Sequence, residues 1–101
     1  MTADSHPKMV GPVIRGADAE LADAVIEAVE ADNPDAEVVV EDTGGYVRIS
    51  VPQRCRLTQA SLEDALGRSF PLAKLEPSLS GFAGRMRLGD DEVIWYLERQ
   101  D

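Results

Sequence analysis

Apolar positions recur along the chain with two different periods. Leu21, Ala22, Val25, Ile26 and Val29 fall three and four apart, on one face of a helix, while Glu20, Asp23, Glu27 and Glu30 lie mostly away from it. The spacing predicts a helix over 19–32 with Asp18 as its N-cap. Asn33 is its exit, because the residue before Pro34 is pushed out of the helical region. Alternation by two takes over afterwards. Residues 37–42 (EVVVED) and 46–51 (YVRISV) flank Thr43-Gly44-Gly45, a glycine turn able to take positive φ, and together they predict a hairpin. In the second arm Val47, Ile49 and Val51 share one face, and Tyr46, Arg48 and Ser50 the other.

The remaining segments are shorter. Residues 9–15 (MVGPVIR) suit a strand that Pro12 places at an edge or a bulge. A strand at 54–57 leads to Thr58, a helix N-cap, with Leu57 and Leu62 at the hydrophobic-staple positions. The helix is predicted over 59–66, Leu62, Ala65 and Leu66 inward, and Gly67 fits its C′ position. A single helical turn is expected at 71–75, and strands at 81–88 and 92–98 are joined by Gly89-Asp90-Asp91. Val93, Trp95 and Leu97 alternate with Ile94, Tyr96 and Glu98, so both faces of the last strand are partly covered. The prediction is an α+β single domain over 9–101, with a largely antiparallel sheet and two main helices, preceded by a flexible N-terminal tail at 1–8.

Charge changes this picture more than composition does. The 101 residues carry a formal net charge of −9, which disfavours nucleic acid and anionic membrane surfaces as partners. Residues 1–42 hold eleven acids against Lys8 and Arg15, whereas 43–101 are neutral and 48–87 carry seven bases against Glu63, Asp64 and Glu76. The domain is electrically two-ended along its sequence. No apolar run is long enough to span a membrane, and the N-terminus lacks the apolar core of a secretory signal, so a cytoplasmic location is expected.

Catalytic chemistry is hard to assemble from these residues. The single histidine, His6, lies in the expected tail, so no Ser-His-Asp or Cys-His arrangement can form on the body. Cys55 is the single cysteine and excludes an internal disulfide. Its neighbours Arg54 and Arg56 favour a thiolate in principle, but on a strand they point to the opposite face. Gly81-Phe82-Ala83-Gly84 has the spacing of a nucleic-acid clamp, yet it opens a strand on an acidic chain, where a bulge or close backbone approach accounts for it better. Asp90-Asp91-Glu92 lacks the dispersed oxygen ligands of a calcium loop. From the residues alone this is a small acidic interaction domain without metal or cofactor, not an enzyme. A binding module for an apolar ligand and a redox sensor using Cys55 stand as alternatives.

Six segments in register carry a resemblance over about residues 9–98. They are Val10-Gly11-Pro12-Val13-Ile14-Arg15, Asp32-Asn33-Pro34, Val40-Glu41-Asp42, Tyr46-Val47-Arg48-Ile49, the run from Leu62-Glu63 through Leu66-Gly67-Arg68 to Phe70, and Phe82-Ala83-Gly84. Their order resembles the effector (coupling) proteins of bacterial multicomponent diiron monooxygenases, most closely the four-component toluene and alkene (isoprene-type) branch. The resemblance implies a non-catalytic, cofactor-free protein that binds the diiron hydroxylase and reshapes its active site. It would thereby couple electron delivery, from a reductase through a Rieske ferredoxin, to hydroxylation or epoxidation.

Nine residues are candidates for the hydroxylase interface. Val10, Gly11 and Pro12 form an apolar segment that either lies on a partner helix or completes the sheet. Asn33 offers an amide to a partner or serves as a local helix stop, and Phe82 is either an interface aromatic or a core plug. Tyr46 and Arg48 lie on the polar face of their strand and are residue types enriched at interfaces. Arg85 and Arg87 join Arg48 as the expected docking side, with the acidic first helix facing solvent.

Overall fold

The structure, a computed structural model, describes residues 8–97. Of the expected tail at 1–8, residues 1–7, His6 included, lie outside the described residues, as do 98–101. The element order is β1 (Met9–Arg15), α1 (Ala19–Asp32), β2 (Val39–Asp42), β3 (Tyr46–Pro52), β4 (Arg54–Thr58), α2 (Gln59–Leu66), two 3₁₀ turns, β5 (Leu79–Ala83), β6 (Arg85–Leu88) and β7 (Glu92–Tyr96). Both helices match the hydrophobic spacing. At the start of α1, however, Asp18 makes no side-chain cap bond; its carboxylate turns to Arg15, 3.5 Å away. Thr58 does cap α2 by accepting from Ser61 N–H, and Gly67 closes that helix at φ 75°.

The strands form two antiparallel sheets rather than the one expected, ordered β2-β3-β1-β5 and β4-β7-β6. The chain passes between them at two corners, Gln53 and Gly84, which adopt φ of 68° and 90°. Left-handed backbone breaks the ladder at each corner and sends the strand off in a new direction. At the first corner Gln53 N–H donates to the Lys8 carbonyl at 2.9 Å. At the second, a Cβ on Gly84 would come within 2.6 Å of Val10 Cγ1 and 2.8 Å of the Tyr96 carbonyl. Both corners therefore sit at the same end of β1, where the sheets meet. The core lies between the sheets and under α1, and it includes Val10, Ile14, Val25, Val29, Ile49, Val51, Leu57, Leu62, Val93 and Trp95.

β1 is an interior strand, so of the edge or bulge that Pro12 suggests the structure shows the bulge. Its ladder with β3 runs from Met9↔Pro52 and Val10↔Val51 to Val13↔Arg48, leaving out Gly11 and Pro12. Proline has no N–H to donate, so the gap falls where its absence does least harm. The same two residues pair with Ala83 and Phe82 of β5, and a bulge follows between Val13 and Ile14. The gap is filled by backbone: Gly11 adopts φ 147°, and a Cβ there would overlap the Ile49 carbonyl. Glycine is required by this approach, because any larger residue forces β1 and β3 apart.

Gly11→Ala is therefore expected to lower the unfolding free energy by at least about 2 kcal/mol, from backbone strain plus the clash. Gly44→Ala is the comparison, since Gly44 has φ 89° but nothing near its Cβ position. That variant carries only the left-handed penalty of about 1–2 kcal/mol. Urea titrations followed by circular dichroism separate the two; equal losses would show that the Ile49 carbonyl is no steric wall.

Candidate functional site: the arginine-lined sheet and the clasp behind it

The last turn of α1 fastens the second sheet in place. Asp32 Oδ2 accepts from Thr58 N–H at 2.7 Å and from the Thr58 hydroxyl at 3.0 Å, and Oδ1 accepts from the Ser61 hydroxyl at 2.7 Å. Its negative charge sits at the N-terminus of α2, where a helix dipole favours it. The next residue extends the attachment. Asn33 Nδ2 donates to the carbonyls of Val29 and Arg56 at 2.7 and 2.8 Å, while its Oδ1 accepts from Arg56 N–H at 3.1 Å. Of the two readings the sequence offers for Asn33, the structure shows the local helix stop, with the amide spent inside the molecule. A helix exit beside a strand needs its amide to satisfy two backbones, and periodicity does not disclose that strand.

Beyond the clasp, the register sorts the second sheet into two faces. Cys55, Trp95 and Met86 stand opposite one another, as do Leu57, Val93 and Leu88, and these two rows form the inner face. Cys55, Leu57, Trp95 and Val93 are buried, and burial pushes the Cys55 thiol up to about 12, with the Asp32 carboxylate adding to the effect. On the outer face the rows are Arg54–Tyr96–Arg85 and Arg56–Ile94–Arg87. Two arginine strands thus frame an aromatic and an aliphatic side chain on β7. Ile94 is only 4% exposed, flanked on both sides by long arginine stems. Glu92, also on this face, accepts from Arg56 Nε at 2.7 Å and holds that guanidinium all the more firmly protonated. A depression of about 320 Å³ opens among Arg54, Arg87, Ile94, Tyr96 and Leu97.

The remaining candidates scatter. Val10, Gly11 and Pro12 are buried in β1 and shape the core. Tyr46 and Arg48 lie on β3 in the other sheet, where Arg48 pairs with Glu41 at 3.4 Å and sits over the Tyr46 ring at 5.4 Å. Phe82 is 45% exposed on β5, the edge strand of its sheet, and is no core plug. Arg85 and Arg87 are exposed on β6, so the structure divides the expected docking side between two sheets. Arg54, Arg56, Ile94 and Tyr96 were not singled out from the sequence. Their signal is there: Arg54-Cys55-Arg56-Leu57 and Arg85-Met86-Arg87-Leu88 repeat one alternation on the two strands that flank β7.

Residues 8–96 match the model of the MmoB/DmpM family. The effector subunit of an alkene monooxygenase system from Xanthobacter autotrophicus strain Py2 is 57% identical over 95 residues, spanning 94% of this chain and 92% of the relative. Among solved structures, a phenol hydroxylase–regulatory protein complex contains a chain that superposes with a TM-score of 0.71 at 26% identity, covering 90% of this chain and 100% of that one. A second such complex gives 0.67 at 27% identity, covering 88% and 99%. Regulatory protein B of soluble methane monooxygenase shares the fold, with a TM-score of 0.66 at 21% identity over 97% of this chain and 74% of its own.

Two outcomes are expected from the clasp and the thiol. Asp32→Ala strands three partly buried donors and should cost about 1.5–3 kcal/mol of stability, read as a lowered urea midpoint. For Cys55 the folded pKa is raised from 9.0 to about 12, so the folded state keeps a proton that the unfolded thiol releases. Its contribution is complete below pH 9 and lost as pH rises toward 12. Accordingly, a thiol reagent at pH 8 should modify Cys55 only as fast as unfolding exposes it, and Cys55→Ala should flatten the alkaline loss of stability.

Proposed function

The chain belongs to the MmoB/DmpM family, and from that membership we propose that it is the effector of a multicomponent alkene- or aromatic-oxidising monooxygenase. It binds the hydroxylase component, performs no chemistry of its own, and acts from the cytoplasm. The observation that carries this is 57% identity, over almost the full length of both chains, to an alkene monooxygenase effector subunit. The likeness to chains found in phenol hydroxylase–regulatory protein complexes supports a hydroxylase as the partner.

An effector of this kind works by differential binding. It changes the hydroxylase only if it binds one conformation of that enzyme better than another, and the coupling is reciprocal. A coupling of about 1–3 kcal/mol changes affinities by roughly 5–150-fold. The irons and the electron supply, expected to run from a reductase through a Rieske ferredoxin, belong to the other components. This chain contributes a rigid shape and a charge pattern. Tyr46, Arg48, Phe82, Arg85 and Arg87 are the surface candidates for hydroxylase contact. Val10, Gly11, Pro12 and Asn33 serve by building the scaffold behind them.

Both alternatives lose ground on specific observations. The small pocket against the core lined by Leu72, Leu75, Glu76, Leu79, Met86, Leu88 and Val93 has a volume of about 10 Å³, scarcely room for one water, so no apolar ligand fits there. Cys55 is buried and stays a thiol at neutral pH, which removes the nucleophile that a redox sensor needs.

Reconstitution tests the proposal. Omitting this chain from a system of purified hydroxylase, reductase and ferredoxin should leave electron transfer measurable while product formation falls about 5–150-fold or uncouples. Equal product rates with and without it would falsify the effector role.

A further inference from the structure

We infer that the outer face of β4, β7 and β6 docks a carboxylate-bearing surface of the hydroxylase, with Arg54 and Arg87 as its principal anchors. The inference rests on the effector function proposed above and adds residues and a partner chemistry that this function does not specify.

The first support is electrostatic. A chain of net charge −9 concentrates Arg54, Arg56, Arg85 and Arg87 on one face of a three-stranded sheet. Glu92 is the one acid in register with them among the described residues, and it is committed to Arg56. Like charges gathered on a sheet face repel, and the free protein bears that cost. Arg54 and Arg87 form no ion pair among the described residues, although acids abound elsewhere. A partner that supplies carboxylates removes the repulsion. The second support is shape. Ile94 and Tyr96 make an apolar, aromatic centre between two charged rails, and the depression there is lined by Arg54 and Arg87. An apolar middle with a polar rim, rich in Arg and Tyr, is the anatomy of a protein interface.

The residue type is the third support. All four bases on the face are arginine, whose planar fork grips a carboxylate through two parallel hydrogen bonds. The exposed carboxylates of α1, at Glu20, Asp23, Glu27 and Glu30, could in principle satisfy the same face of a second copy. Two bodies of charge −9 repel each other over the rest of their surfaces, which favours the hydroxylase as occupant.

The test compares association with purified hydroxylase across ionic strength for wild type, Arg54→Glu/Arg87→Glu, Arg54→Lys/Arg87→Lys and Arg68→Glu. The last variant reverses a charge beside α1, where Arg68 pairs with Glu20. The double reversal should slow association about tenfold or more at low salt, and the gap should narrow once the Debye length falls below about 10 Å. Lysine at both positions should keep the fast association but shorten the complex lifetime, since the bidentate grip is lost. Arg68→Glu should associate within about twofold of wild type. Circular dichroism establishes folding; if the reversal does not fold, Arg54→Gln/Arg87→Gln replaces it, with a slowing of about threefold expected. Wild-type rates in the reversed or neutralised pair would overturn the inference while leaving the effector function intact. So would sedimentation showing that the pair alters self-association alone. A wild-type protein that fails to bind hydroxylase at all would overturn the effector function itself.

Discussion

Two adjacent side chains at the end of α1 hold the molecule in its working shape. Asp32 grips the first turn of α2, and Asn33 grips the backbone of β4 on both its donor and its acceptor side. Hydrophobic burial brings helices and sheets together without specifying their angle, because it has no direction. The directional bonds of Asp32 and Asn33 supply that angle. They tie β4 to α1, β4 orients β7 and β6 through its ladder, and the outer face of that sheet is thereby turned to solvent with its arginines displayed. The Asn33 amide, which the sequence offers either to a partner or to a local helix stop, ends α1 and holds the arginine-lined sheet from behind.

Much of the fold was legible because local signals agreed with the final structure. The amphipathic spacing of α1, the cap-and-glycine bracket of α2 and the hairpin around Gly44 each rest on interactions within a few residues. What stayed hidden depends on residues far apart in sequence. Pro12 suggests an edge or a bulge, and which of the two is decided at long range: the strand lies inside the sheet, with a bulge just after Pro12, because Gly11 brings bare backbone against Ile49. The break between the sheets turns on Gln53, a non-glycine residue at positive φ that carries no local signal. The candidate site was half legible. Arg85 and Arg87 stand out as a local charge pair, whereas Arg54 and Arg56 become their counterparts only when β7 is placed between them.

The functional logic is that of a protein whose surface is its whole activity. Its interior is packed with small and medium aliphatic side chains around one indole. Such an interior resists deformation. A rigid effector spends little binding energy on its own reorganisation, so more remains to remodel what it binds. The segregation of charge adds direction: acids are exposed along α1, and arginines stand on the second sheet. The two ends of the molecule present different fields to anything that approaches.

The seam at the start of β1 has a consequence for how the chain reaches this state. Lys8 bonds to Gln53, and Val10 packs on Gly84, so segments from the beginning, middle and far end of the chain converge on one short line. Neither sheet can close until those distant segments have met, and the loop entropy of each meeting is lost before the contacts return any of it. Local structure such as α1 forms on the microsecond scale. The seam belongs to the slow class of events that pace mixed and all-β folds. The same long loops that make the closed molecule slow to assemble also make it hard to open piecemeal, because releasing either corner unfastens both sheets at once.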